Sequence, residues 1–310
     1  RRQTELAGWW LEGRVGGRAA AESDRSPRFG GPVRMSAGMD VTVMAVTDAE
    51  YLDRRRWDDV NTAELTAWVT RAKTSDGSVS PTRVELTVGQ SFWPEALPSP
   101  GVIFWPDPRW PTGRRLRGAT YARGLISSQH ALRIGAFDVR LRGVAAGTLG
   151  GTAVPLQRRV FLAGADPYAT FTNPFLRSRG APLARSDVHY QAPGGLGLRG
   201  YAPVVSATWG VALNAEAVWH AVERPTRRAF SSVTLAAFAD GALLDRAALG
   251  RAAAADAGIG VRAAHQIGPT RFVTRLDLPL LVTRPAAAVA GAAGDGAFKF
   301  RWVWSFEEAF

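Results

Sequence analysis

Phe298-Lys299-Phe300-Arg301-Trp302-Val303-Trp304-Ser305-Phe306-Glu307-Glu308-Ala309-Phe310 closes the chain with a ring at five successive even positions: Phe298, Phe300, Trp302, Trp304 and Phe306. A period of two is that of a β-strand, whose side chains point alternately to its two faces. With aromatic residues at 10% of the chain, five at one phase arise by chance at roughly one start site in a hundred thousand. One face of this strand is therefore built of indole and phenyl groups, which suit hydrocarbon and its boundary with water.

The same period recurs upstream. In Val205 to His220 the odd positions include Val205, Trp209, Val211, Leu213 and Trp219, and the even ones Ser206, Thr208, Asn214, Glu216 and His220. Phe272 to Leu280 sets Phe272, Leu276, Leu278 and Leu280 against Val273, Arg275, Asp277 and Pro279, and Arg83 to Phe92 sets Val84, Leu86, Val88 and Phe92 against Arg83, Glu85 and Thr87. Fainter alternation marks Leu6 to Arg18, Met39 to Thr47, Ala63 to Lys73, Arg115 to Leu125, Ala131 to Val144, Leu156 to Ala165, Phe230 to Asp240 and Ala257 to His265. With the last strand this predicts an all-β, antiparallel chain of about twelve strands. A soluble sandwich alternates too, so periodicity leaves open whether the apolar face meets a core or lipid.

Composition narrows the classes. At 310 residues and 46% hydrophobic, the chain is long and apolar enough to fold. No run approaches the roughly 18–20 apolar residues of a spanning helix, so a membrane protein of this sequence crosses with strands. The absence of Cys removes disulfide frameworks and thiolate metal sites. The net charge of +11 is carried mostly by Arg, a balance that suits an acidic membrane surface or glycolipid. These arginines are scattered through alternating segments without a zinc-finger or RNA-recognition signature, so no nucleic-acid partner is expected. Arg1-Arg2-Gln3-Thr4 offers neither an initiator Met nor a signal peptide, and the single domain of residues 1–310 is expected to lack its N-terminal part.

Two stretches carry a family resemblance. The ending, with Trp302, Trp304, Phe306 and Phe310, resembles the C-terminal assembly signal of bacterial outer-membrane barrels; Glu308 departs from it. Leu198-Arg199-Gly200-Tyr201 looks like the Arg-Gly-aromatic motif in the long sixth extracellular loop of the surface-antigen superfamily, which includes outer-membrane insertases and two-partner secretion transporters. The resemblance implies a transmembrane barrel, of which this chain is the C-terminal part of sixteen strands, and a loop over residues 166–204 that folds toward the lumen. It also implies that Arg199 meets acidic groups near the C-terminal strands, with Asp277 and its neighbour Arg275 as the candidates. Arg159 to Gly164 looks like the strand before that loop, and more than thirty residues separate it from the motif. Counting strands back from a periplasmic C-terminus then puts Pro94 to Gly113 in the periplasm, where connections are usually short.

No catalytic constellation emerges. His130, His189, His220 and His265 are dispersed, without paired metal-ligand spacing. Ser186, Asp187 and His189 are neighbours in one loop, whereas a triad normally gathers from separate segments. Gly195, Gly197 and Gly200 satisfy GxGxxG, but no helix pattern follows as dinucleotide binding requires. Neither a cofactor nor a metal is expected. Arg275, Asp277, Glu216, Arg262, Asp138, Arg140 and Arg142 are candidates to line a lumen. The sequence thus predicts a non-enzymatic outer-membrane barrel for protein insertion or translocation, with outer-membrane lipid, acidic glycolipid, the barrel assembly machinery and a protein substrate as partners. The alternatives are a barrel that anchors an N-terminal domain, which can be an enzyme, and a soluble basic β-sandwich that binds acidic polymers.

Overall fold

The protein, seen in a computed structural model, is described over residues 2–5, 8–23, 33–46, 60–75, 78–92, 120–150, 154–163, 178–179, 195–201, 206–223, 230–245, 251–267, 270–283 and 303–306. Its strands are β1 (Arg2–Glu5), β2 (Gly8–Ser23), β3 (Val33–Val46), β4 (Asn61–Ser75), β5 (Ser78–Phe92), β6 (Thr120–Ile134), β7 (Phe137–Leu149), β8 (Val160–Phe161), β9 (Ser178–Arg179), β10 (Ser206–Ala207), β11 (Trp209–Glu223), β12 (Phe230–Asp245), β13 (Arg251–Ile267), β14 (Thr270–Val282) and β15 (Val303–Phe306). Thirteen of them form one antiparallel meander in the order β1 to β7, β11 to β15, then β9, and β8 and β10 pair by themselves. The sheet is not closed among the described residues.

The alternation read from the sequence is the alternation of the wall, and it is dressed the opposite way from a soluble core. On β5, Val84, Leu86, Val88 and Phe92 are exposed, whereas Arg83, Glu85 and Thr87 are buried. On β11, Val211, Leu213 and Trp219 are exposed, with Asn214 and Glu216 buried, and on β14 Leu276 is exposed while Arg275 and Asp277 are buried. Two-layer sandwich packing needs a second sheet over the apolar face. The other sheet among the described residues is the β8–β10 pair, and its Phe161 and Ala207 belong to the buried side. The sheet curls around this inner piece: Arg158, just before β8, reaches Glu64 on β4, while Tyr201 reaches Thr283 beyond β14.

Three expectations change. Leu156 to Ala165 is not a wall strand; it is a 3-10 turn, Leu156–Arg158, followed by the two residues of β8. Val160, Phe161, Leu162 and Ala163 are all buried, because a segment enclosed by the wall has no solvent face to alternate with. Ala131 to Val144 is two strands, divided by a turn in which Gly135 takes a φ of 61°. The strand expected at Arg115 to Leu125 runs instead as Thr120–Ile134.

Removing one strand from the wall reverses the parity upstream. The strand ends Val46, Asn61, Phe92, Thr120, Leu149, Trp209, Asp245, Arg251 and Val282 now share one end of the sheet, and Ser23, Val33, Ser75, Ser78, Ile134, Phe137, Glu223, Phe230, Ile267 and Thr270 the other. Pro94 to Gly113 lies outside the described residues, but the strand ends that flank it, Phe92 and Thr120, are at the same end as Leu149 and Trp209, which flank the segment that carries Arg199, and not at the end of the two-residue turns.

Candidate functional site

The site is the buried segment and the wall around it. Backbone bonds tie its two runs together: Leu196 N donates to Phe161 O at 2.8 Å, and Leu198 N to Leu162 O at 3.3 Å. Val160, Leu162, Leu196 and Leu198 pack with Ala242, Leu244, Ala252, Ala254 and Val282 into one cluster. The wall contributes small residues here, which leaves room for the segment. Full burial of each large aliphatic side chain stabilises by about 2 kcal/mol. This apolar cluster lies toward the long-loop end of β12 and β13, and the charges lie along the strands toward the short turns.

Arg199 enters that charged region 6% exposed. Its Nε stands 2.9 Å from Asp240 Oδ2 and its Nη2 donates to Asp240 Oδ1 at 3.2 Å. Nη1 donates to Glu216 Oε2 at 3.0 Å, with Asp277 Oδ2 at 3.6 Å, and the guanidinium lies 3.9 Å from the centre of the Phe238 ring. Glu216 is shared with Arg262 and with Arg275, whose Nη2 lies 2.8 Å away, and Arg275 also donates to Asp277 through Nε at 2.7 Å. Each of these charges thus has an opposite charge within reach, on the inner segment, on its own strand or across the wall, as burial of ions demands. Burial, followed by the nearby Arg275 charge, presses the Arg199 guanidinium below its ordinary pKa, and Asp240, Asp277 and Asp256 pull it back.

The rest of the motif is held as closely. Gly200 N donates to Asp256 Oδ2 at 2.8 Å, and a Cβ there would stand 2.6 Å from Val282 Cγ2. The Tyr201 hydroxyl lies 3.1 Å from Ala255 O and 2.9 Å from Thr283 O. Gly197 has a φ of 85°, and a Cβ on it would meet Arg142 Nη1 at 2.8 Å. Gly197 and Gly200 of the GxGxxG match thus serve close approach of the segment to the wall. Arg142 Nη1 donates to Leu196 O at 3.2 Å and to Asn214 Oδ1 at 2.8 Å, and Asn214 Nδ2 donates to Asp240 Oδ1 at 3.0 Å.

A second attachment lies across the concave face, on β4 to β6. Arg158 Nε stands 2.9 Å from Glu64 Oε1, which also accepts the Tyr121 hydroxyl at 2.6 Å. Beside it, Arg83 pairs with Glu85 at 2.9 Å and lies over the Trp68 ring. Arg123, also buried, has no hydrogen bond among the described residues for its Nε and Nη2.

The structure brings together Leu198, Arg199, Gly200, Tyr201, Arg275 and Asp277, and adds Asp240, Asp256, Phe238 and Asn214, which sequence reading did not assign to the site. Of the other candidate lining residues, Glu216, Arg262 and Arg142 are buried in the network, whereas Asp138 is half-buried and lies 2.6 Å from His220 Nε2. Arg140 is half-buried as well. Trp304 and Phe306 lie on β15, opposite Leu276 and Thr274. Trp302 and Phe310, like Ser186, Asp187 and His189, lie outside the described residues. Among the described residues no group of His, Asp and Glu is arranged to hold a metal ion.

No family model matches the chain, and no curated protein matches it in sequence. Among solved structures, it is similar to CdiB from Escherichia coli with a TM-score of 0.46 and 12% identity, over 96% of this chain and 45% of that one. It is also similar to LpxR from Salmonella typhimurium with a TM-score of 0.28 and 10% identity, over 94% of this chain and 87% of that one. The chain thus spans less than half the length of the CdiB chain.

Proposed function

We propose that this chain is wall and plug of a transmembrane β-barrel in a bacterial outer membrane, and that it serves insertion or translocation of proteins. The observation that carries the reading is the inverted dressing of the wall, with Leu213, Leu86 and Val41 exposed and Glu216, Asp240 and Arg275 buried. In water such an apolar surface drives association; in a bilayer it is the outer band of a barrel. The short turns of one end then face the periplasm, and the long connections the outside.

Translocation is favoured over simple anchoring by how the inner segment is held. An anchor needs a stable wall, for which apolar filling is at least as good as buried ion pairs. A segment fastened by charge clusters on opposite walls is instead one that specific polar contacts position and release. The motif Leu198 to Tyr201 is the clamp in this reading, Trp302 to Phe310 is the part the assembly machinery meets, and the cargo is an unfolded polypeptide.

The test is fractionation of cells that make the natural protein, followed by single-channel recording of the purified barrel. Recovery from outer membranes with heat-modifiable gel migration, and conductance that rises in Arg199→Ala, is the expected result. Recovery in a soluble fraction would sink the membrane reading. A silent barrel whose conductance ignores Arg199→Ala would leave an anchor.

A further inference from the structure

The outward face of β2 to β5 carries an open apolar depression of about 790 Å³. Its floor is small, at Gly17, Ala37 and Ala67, and its rim is bulky, at Met39, Val69 and Leu86. One step further along the strands toward the short turns the same face turns polar. Arg71 stands opposite Thr82, and Thr82 opposite Ser128; Lys73 follows on β4 opposite Ser80. Thr82 Oγ1 and Ser128 Oγ are 2.8 Å apart, and Ser128 Oγ lies 3.1 Å from His130 Nε2.

Among the described residues of β3 to β6, no acidic group shares this face. Asp40, Glu64 and Glu85 are the acidic residues of β3 to β6. All three belong to the concave face, where Asp40 accepts from Trp68 Nε1 and the two glutamates pair with arginines. An arginine on a lipid-facing wall is costly at mid-membrane and less so near the interface. A phosphate removes that cost through charge-assisted bonds.

We propose that this surface is a binding site for an anionic glycerophospholipid of the periplasmic leaflet, with one acyl chain in the depression and the phosphate on Arg71, Lys73 and the Thr82–Ser128–His130 hydroxyl and imidazole groups. The inference rests on the membrane reading above. The two halves fit one molecule, since the apolar rim at Val69 is two residues from Arg71 on the same face of the same strand. The short-turn end sets the leaflet. A basic patch beside a hydrophobic slot is the form in which membrane proteins take acidic head groups.

The full chain, inserted into vesicles of mixed phosphatidylglycerol and phosphatidylcholine and extracted in mild detergent, is weighed by native mass spectrometry to count retained lipid. Several-fold preference for phosphatidylglycerol is expected. The preference should vanish in Arg71→Gln/Lys73→Gln, and retention of either lipid should fall in Ala67→Trp, which fills the floor. Heat-modifiable migration of every variant establishes that the barrel is intact. Equal retention of both lipids by the inserted parent chain, or a charge variant that keeps the preference, overturns the site and leaves the membrane reading standing. A chain that never enters vesicles overturns both.

Discussion

The guanidinium of Arg199 meets Asp240 through two nitrogens, Nε 2.9 Å from Oδ2 and Nη2 3.2 Å from Oδ1. Asp277 lies further off, at 3.6 Å, and is engaged by Arg275 at 2.6 Å. A charge-assisted hydrogen bond with a second close ionic contact beside it makes this the tighter of the two pairings. Asp240→Asn should therefore loosen the motif by about 2–5 kcal/mol, the range for breaking a buried charge pair. Asp277→Asn should loosen it by about 1 kcal/mol or less. Hydrogen exchange at the Leu198 and Gly200 amides reads this directly, and equal loss of protection in both variants would show that Asp277 carries as much of the attachment.

The wall was legible in the sequence wherever its two faces differ chemically. Over Arg83 to Val88 on β5 and Arg275 to Leu278 on β14 polar and apolar residues alternate, and those stretches emerge in the expected phase. Asp240 escaped because β12 is apolar on both faces: Ala236, Phe238, Ala242 and Leu244 point inward with it, while Leu235, Ala237 and Leu243 point out. No parity can be read from such a strand. What locates Asp240 is a cross-strand row, Arg142 opposite Asn214, Asn214 opposite Asp240 and Asp240 opposite Asp256. That row depends on register, which alternation within one strand does not fix. The inner segment was misread for a related reason, since Val160 to Ala163 is buried all round and an apolar run of that length resembles a buried strand.

Gly200 sits where a side chain has no room. Ala at this position would bring its Cβ to 2.8 Å from Asp256 Cβ as well as 2.6 Å from Val282 Cγ2. Gly200→Ala should expel the motif from the wall, at a cost of about 1–3 kcal/mol for overpacking. Gly124, whose Cβ would meet nothing within 4 Å, is the control. Gly124→Ala should leave thermal unfolding and proteolysis of the inner segment unchanged, whereas Gly200→Ala should expose that segment to protease with the strands intact.

Leu213 is 59% exposed on β11, beside Ala212, which is buried. If the outer band faces lipid, Leu213→Arg costs about 2–4 kcal/mol of insertion at mid-membrane. In a protein whose convex face met water the same change would be neutral and would raise solubility. Folding into vesicles, followed by heat-modifiable migration, separates the two: a large loss of folded barrel is expected, and undiminished folding would contradict lipid contact at this position.

The two attachments of the inner segment differ in what their loss leaves behind. Without Arg199, Asp240 stands directly opposite Asp256 with Asn214 donating to it, so two buried carboxylates lose a nearby cation. Without Arg158, Glu64 keeps the Tyr121 hydroxyl and has the buried Arg123 nearby, two of whose nitrogens have no hydrogen bond among the described residues. A buried carboxylate with a substitute cation loses far less than one without. Arg158→Gln should therefore free the β4–β6 side of the segment at little cost to the wall, and Arg199→Gln should destabilise wall and segment together. In planar bilayers Arg158→Gln should flicker between the closed level and a larger conductance, with unfolding within about 1 kcal/mol of the parent protein. Arg158→Gln/Arg123→Gln should then be markedly less stable than either single change. Strict additivity of the two would show that Arg123 does not take over Glu64.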